Sequence, residues 1–346
     1  MAATLRDVAR LAEVSIKTVS NVIHDHPNVR DETRARVQSA IEELDYQPNM
    51  SARGLRSGRT GAIGLAIPSI RENYFAELAD AVIEAADLHG VSVLVSQTNG
   101  LREAELDVLS GRRLRLTDGL LFSPASLGQD DRDLLNVRFP LVLLGERMFD
   151  GPTDHVTMLN IEAATAAVEH LISRGRRRIA LLGVDAERLD EAGSANLRAA
   201  GYQLALQQAG IAYDPALVVG PAHWDHDDAA EATRALIRSG APFDAVFAMN
   251  DTLAVGALRA LAEARFRVPE DIAIIGFDDI EATRFSIPSL SSVDPGRSQI
   301  ARLAVERLLH RIEEKNDRQP PQRFTTDFTI VARESTDHPA ERSVDG

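Results

Sequence analysis

The period of the apolar positions changes near residue 60. Before it, Leu5, Val8, Ala9 and Ala12 recur at helical spacing behind Thr4, which can cap the helix, with Asp7 three residues on. Glu13-Val14 makes a short turn. Ser15 caps a second helix, in which Ile16, Val19, Val22 and Ile23 set the buried face; its other side shows Lys17, Thr18, Ser20 and Asn21. Arg34, Val37, Ala40, Ile41 and Leu44 give a third amphipathic helix, with Asp31 and Glu32 near its start, where the helix dipole favours acids. Two short helices around a tight turn, with a third packed on them, predict a helix-turn-helix. The second helix of that motif enters the major groove and touches base edges from its N-terminal end. Ile16, Lys17 and Asn21 are placed to do so. Asparagine pairs with adenine, lysine with guanine, and an apolar side chain meets a thymine methyl. Spacing alone also allows a small helical bundle with an ordinary solvated face.

The next stretch, "YQPNMSARGLRSGRT", strengthens the first reading. Pro48 stops the third helix and Asn49 can cap a new turn. Arg53, Arg56 and Arg59 follow with no acid among them, and Leu55 sits inside this basic run. A leucine there makes sense as a wedge between base steps in the minor groove. The alternative is a tether with an incidental leucine.

From Gly61 onward short apolar runs alternate with helical stretches. The runs "AIGLAIP", "VSVLVS", "GLLFS", "PLVLLG", "IALLG", "DAVFAMN" and "IAIIGFDD" predict strands. Helices are predicted over 75–88, 103–114, 161–174, 197–209 and 252–264, with a late one in "SSVDPGRSQIARLAVERLLHRIE" and a last strand in "TTDFTIVARES". Apolar strands with helical crossovers mean parallel sheets covered on both faces. The units fall into two similar halves, split near Asn160.

Charge sharpens the division. The 346 residues carry a formal net charge of −14. Residues 1–60 hold 9 Lys and Arg against 8 Asp and Glu, so +1, which leaves −15 for the remainder. An acidic body repels phosphate, so any DNA contact must come from the first sixty residues. There is no cysteine, which removes disulfide and thiolate chemistry. The N-terminus "MAATLRDVAR" has no signal-peptide blocks, and no apolar run reaches the about 18 residues of a membrane span. A soluble, cytoplasmic chain is expected.

The segments "TLRDVARLAEVSIKTVSNVIH", "VRDETRARVQSAIEELDYQPN" and "ARGLRSGRTGAIGL" resemble the start of a LacI/GalR-type transcription regulator, and the likeness runs from Thr4 to the "ARES" at Ala332–Ser335. The resemblance implies an all-α helix-turn-helix headpiece over 1–47, a hinge helix or linker over 48–60, and an α/β two-lobed, periplasmic-binding-protein-like core with parallel sheets over 61–338. It also implies lobes discontinuous in sequence: the first about 61–160 and 291–323, the second about 161–290 and 324–338, then a tail over 339–346. By the same resemblance Ser15, Ile16, Lys17, Thr18, Ser20, Asn21 and Asn28 belong to the DNA surface, as do Ala52, Arg53, Leu55 and Arg56. The expected partners are pseudo-palindromic operator DNA, a small-molecule effector and a second copy of the chain. The tail has no heptad pattern, so a dimer is expected.

Open parallel sheets bind ligands beyond the carboxyl ends of their strands, and two facing lobes put those ends on one cleft. Candidates just after strands are Tyr74, Phe75, Asn250 and Asp278, with Arg198 opening a helix after "IALLG" and Trp224 the only tryptophan. The resemblance implies effector contacts at Phe75, Arg198, Trp224, Asn250 and Asp278, and also at Tyr74 and Ser194. An aromatic can stack on the C–H face of a sugar, Asp278 can accept from hydroxyls, and Arg198 and Asn250 can donate. Each has a plainer alternative: core packing for Trp224, a surface ion pair for Arg198. Asp251 is expected to cap the next helix. Two departures from the family pattern bear on the ligand: Leu159 stands where a polar residue is usual before Asn160, and the loop "VDAERLDEAGSAN" is long and acidic, which speaks against a highly anionic effector. A sugar or sugar derivative is therefore the first choice and a nucleobase the second; a solute-binding protein is the rival outside regulation. "HWDHDD" (223–228) could suggest a metal but reads as a loop and helix start, with Asp227 or Asp228 as cap. No phosphate loop, nucleophile elbow or zinc spacing is present, so neither enzyme nor cofactor is expected.

Overall fold

The computed structural model describes residues 3–23, 28–46, 59–111, 116–184, 193–314 and 319–337. The chain divides into two compact units, 1–61 and 62–346.

In the first unit α1 (Leu5–Leu11), α2 (Ile16–Ile23) and α3 (Asp31–Glu43) enclose a small core of Val8, Ala9, Val19, Val22, Val37 and Ala40, closed by Tyr46. Each helix begins as its sequence dictates. Thr4 Oγ1 accepts from the Asp7 amide (3.4 Å) while Asp7 Oδ2 accepts from the Thr4 amide (3.0 Å). These reciprocal bonds satisfy donors that a helix start leaves open. Glu13 takes a left-handed φ of 52° to turn the chain, and Ser15 Oγ accepts from the Thr18 amide (3.1 Å) to start α2.

The second unit holds two six-stranded sheets. In the first, β1 (Ala62–Ile67), β2 (Ser92–Gln97), β3 (Leu120–Phe122), β4 (Leu141–Leu144), β5 (Asp154–Met158) and β11 (Arg323–Thr326) lie parallel in the order β11-β5-β4-β3-β1-β2. In the second, β6 (Ile179–Leu182), β7 (Val218–Val219), β8 (Ala245–Ala248), β9 (Ala273–Phe277), β10 (Ser291–Asp294) and β12 (Thr329–Val331) lie in the order β12-β10-β9-β8-β6-β7, with only β12 antiparallel. Helices α4 (Asn73–Asp87) and α5 (Arg102–Leu109) connect strands of the first sheet; α6 (Asn160–Ser173), α7 (Ser194–Gln208), α8 (His226–Ser239) and α9 (Asp251–Glu263) serve the second. Among the described residues no helix is long and apolar enough to cross a membrane.

The chain passes between lobes at Leu159, at 295–296 and at 327–328. This corrects the expected exchange points. Residues 291–294, expected in the first lobe, form β10 and pair with β9 in the second sheet. Residues 324–326, expected in the second, pair with β5 in the first. The single last strand is therefore two, β11 and β12. Only then does α10 (Arg297–Glu313) return to the first lobe, where it packs on α4.

β5 was absent from the predicted strands because it reads Asp-His-Val-Thr-Met, polar at three of five positions. Asp154 is nonetheless fully buried. Arg307 and Arg311 of α10 pair with it at 3.0 and 2.6 Å, and the Gln322 amide donates at 2.9 Å. Burial alone would raise its pKa; the two guanidiniums and the amide hold it below its usual value.

Gly201 lets α7 lie against α6. A Cβ there would stand 2.4 Å from the Ile161 carbonyl and 2.8 Å from Ala164 Cβ. Gly201→Ala is expected to cost about 1–3 kcal/mol, as overpacking does. At about 2–4 °C per kcal/mol this is a visible drop in a thermal melt. A midpoint within one degree of wild type would show that the helices part without cost.

Candidate functional site

The outer face of α2 carries the first group of predicted residues. Val19 and Val22 are buried, while Ser15, Ile16 and Lys17 are exposed and Thr18, Ser20 and Asn21 half-buried. Ile16 is not part of the buried face, contrary to the spacing argument. It is 36% exposed at the first helical position, and Val14 and Ile23 complete the core instead. A β-branched apolar side chain is thus offered to a partner beside Lys17 and Asn21. Asn28 is exposed ahead of α3. Ala52, Arg53, Leu55 and Arg56 lie outside the described residues.

The second group meets in one place. A cavity of about 240 Å³ opens between the two lobes of the core, at the carboxyl ends of both sheets. The first lobe contributes Tyr74 and Phe75, in the first turn of α4. The second contributes Ser194 and Arg198 of α7, Trp224 before α8, Asn250 after β8 and Asp278 after β9. All seven predicted ligand residues therefore line the same cavity.

Arg198 is 4% exposed and almost wholly engaged by protein. Nε donates to Asn160 Oδ1 (2.8 Å), Nη1 to the Met249 carbonyl, and Nη2 stands 3.6 Å from Asp278 Oδ1. Its guanidinium lies 3.6 Å over the Phe277 ring centroid, a stacking arrangement suited to a planar cation. Asn160 is thus a support for Arg198, and neither it nor Leu159 lines the cavity. Burial pushes the Asp278 carboxyl up to about 7, against the pull of Arg198 and Arg297. Its backbone holds a left-handed φ of 111°, and its carbonyl accepts from Arg297 Nη1 (2.7 Å). Arg297 also pairs with Glu77 of α4 at 2.5 Å, which ties the Asp278 loop of one lobe to the helix bearing Tyr74 and Phe75 in the other.

Trp224 Nε1 donates to the Gly183 carbonyl (2.8 Å), so its polar edge is taken and its ring is what it can offer the cavity. Asn250 Oδ1 accepts from the Leu253 amide (2.8 Å) and caps α9, which leaves its amide protons for a ligand. This corrects the assignment of Asp251 as the cap. Asp251 is fully buried and accepts from the Ile280 amide (2.9 Å) and Ser292 Oγ (2.6 Å), bracing the loop that carries Asp278. In the 223–228 run the cap is Asp225, not Asp227 or Asp228: its Oδ1 accepts from the Asp228 amide (2.8 Å). His223 Nδ1 meets Asp228 Oδ2 at 2.8 Å, so the three side chains cluster around a helix start on the surface.

Sequence reasoning missed the cavity's second buried acid. Glu146 follows β4, turned inward after Gly145 at φ 89°, and is 7% exposed. The strand-end rule that points to Asp278 applies equally to "PLVLLGE" and is the signal for Glu146. Its pKa is raised by burial, against the attraction of Arg198 and bonds from Thr157 and Met158. Burial, Glu146 and Asp278 together lift the Tyr74 phenol well above its ordinary value.

Comparison with known proteins agrees with this arrangement. The profile of bacterial regulatory proteins of the lacI family matches residues 4–49, and that of the periplasmic binding protein-like domain matches 168–336. The ribose operon repressor of Escherichia coli (strain K12) is 33% identical over 315 residues, 90% of this chain and 93% of its own. The transcriptional repressor PurR of Pasteurella multocida is 34% identical over 320 residues, 91% and 93% of the two chains. The lac repressor dimer bound to operator and the anti-inducer ONPF superposes with a TM-score of 0.81 at 27% identity, covering 97% of this chain and 99% of that one. The chain belongs to the LacI family of bacterial regulatory proteins: it is a DNA-binding transcription regulator with a periplasmic-binding-protein-like core.

Proposed function

We propose that this chain is a repressor whose operator affinity is set by a sugar or sugar derivative held in the interlobe cleft. The observation that carries the reading is the convergence of seven strand-end and helix-start residues from both lobes on one cavity. At about 240 Å³ it lies below the roughly 300–1,000 Å³ of sites for drug-sized ligands and suits a monosaccharide. Phe75 and Trp224 offer ring faces to C–H groups, Asp278 and Glu146 accept from hydroxyls, and the Asn250 amide donates. Related repressors named for a ribose operon and for PurR are equally similar to this chain, so it is the acceptor-rich wall that favours a sugar here.

In this reading α2 places Ile16, Lys17 and Asn21 against base edges, with Ser15, Thr18, Ser20 and Asn28 beside them. Ala52, Arg53, Leu55 and Arg56 form the hinge surface. Two copies read a pseudo-palindrome. The exposed Leu94 and Val95 of edge strand β2, and Phe285 and Ile287 in the second lobe, are apolar surface that a second copy would cover. A ligand that bridges Tyr74 and Asp278 acts on both ends of the Asp278–Arg297–Glu77 link, and so favours one arrangement of the lobes. The ligand is bound and not turned over: Asp278 is held by Arg198, and Glu146 by Thr157 and Met158. The protein acts where the DNA is, in the cytoplasm.

A thermal-shift screen of the full chain against sugars, sugar phosphates, polyols and nucleobases tests this. A ligand at about 100 times its Kd adds about 2.7 kcal/mol, a rise of about 5–11 °C at this size. The same ligand is expected to shift operator affinity. A response to a nucleobase with none to any sugar would sink the effector assignment and leave the regulator standing.

A further inference from the structure

Six carboxylates are deeply buried among the described residues; three face arginines and three are held by hydrogen bonds alone. Asp154 has two arginines, Asp278 has Arg198, and Asp279 has Arg333 at 2.6 Å. Glu105 accepts three backbone amides at 2.7–2.9 Å, and Asp251 uses both oxygens as described above. Glu146 is held in the same way, but of these three it is the one that lines the cavity. Its Oε1 accepts from Thr157 Oγ1 (3.0 Å) and the Met158 amide (3.4 Å), with the Asn160 amide alongside and Arg198 attracting it, but among the described residues it forms no ion pair. Of these six it is, with Asp278, one of two that line the cavity. A buried carboxylate without a cation is costly, and a ligand that supplies one gains a strong, poorly screened bond.

The surroundings match a cation as well. Tyr74, Phe75 and Trp224 line the same cavity, and ring faces attract an ammonium. Glu72 adds a third carboxylate at the rim. Arg198 is committed to Asn160, Met249 and Asp278, and Arg147 spends Nε on the Leu127 carbonyl at 3.5 Å.

We propose that the effector is an amino sugar whose protonated amine sits against Glu146, between the aromatic side chains of the cleft. The inference rests on the sugar reading of this cleft and names the group that selects among sugars. Burial raises the Glu146 pKa, so binding of an amine should weaken at acid pH, where the carboxyl is protonated.

The test is titration of the full chain with matched sets: glucose, galactose and mannose, their 2-amino forms, and the N-acetylated amines. Adenine and hypoxanthine serve as non-sugar probes. The expected result is one amine that binds at least about 10-fold more tightly than both its parent and its N-acetyl form. Glu146→Gln should remove that preference while its ligand-free melting point stays at or above wild type. The matched ligands test the idea on wild type alone if the variant melts low. A neutral sugar that binds as tightly as its amine, or an amine preference that survives Glu146→Gln, overturns the amine seat and keeps the sugar reading. No binding by any amine in the panel overturns the proposal; a nucleobase that binds where no sugar does overturns the sugar reading with it.

Discussion

At pH 8 the Asp278→Asn protein is expected to melt above wild type and to have lost its effector response. Asp278 is 6% exposed, and burial raises its carboxyl from 3.8 to about 7. The sign follows from linkage. Between pH 4 and 7 the unfolded chain has given up this proton while the folded protein still holds it. The folded state therefore loses stability as pH rises through that window, and the loss is complete above about 7. At about 1.4 kcal/mol per pKa unit the ceiling is roughly 4 kcal/mol. Asparagine fills the same space without the charge. Part of the gain is given back because Arg198 loses a partner, though it keeps Asn160, the Met249 carbonyl and the Phe277 ring. A net rise of about 1–3 kcal/mol, or several degrees, is expected at pH 8, shrinking to nothing near pH 4–5. Calorimetry across pH 4–8 reads it. A deficit at pH 8 that does not change with pH would mean that the ion pair outweighs the burial cost. A carboxylate that costs stability and faces the cleft is what a binding function retains.

The second large effect concerns the headpiece. Lys17→Ala and Asn21→Ala are each expected to weaken specific operator binding by about 1–3 kcal/mol, roughly 5- to 150-fold, as the loss of a base contact does. Neither side chain belongs to the headpiece core, so the fold should survive both changes. Binding measured on the operator and on a random duplex separates the roles. Loss on the operator alone marks a base reader; equal loss on both marks a phosphate contact. The body carries −15 outside residues 1–60, which leaves non-specific attraction to the headpiece and hinge. Binding by the full chain should therefore fall steeply with salt.

Much of this was legible in the residues because it is local. Thr4–Asp7 and Ser15 cap helices through bonds spanning three residues, and the α2 pattern turns Lys17 and Asn21 away from the Val19–Val22 core. Strand-end positions named Tyr74, Phe75, Asn250 and Asp278, and the family resemblance added Ser194; one cavity gathers them with Arg198 and Trp224. Ile16 shows the limit of the method. Helical spacing put it inside, yet among the described residues it lies outside the headpiece core.

What the sequence by itself determined was the headpiece, the alternation of strands and helices, and the division of charge between the first sixty residues and the rest. These follow from short-range periodicity and counting. Only the tertiary structure decided the strand identity of 154–158 and the lobe that takes 291–294. It also decided the partner of Arg198 and the exposure of Glu146 to the cleft. Asp154 reads as a loop residue until Arg307 and Arg311 arrive from more than 150 positions away. Asn160 marked only a lobe boundary until Arg198 closed on it across 38 residues. A buried charge takes its meaning from the partner that compensates it, and local spacing does not encode that partner.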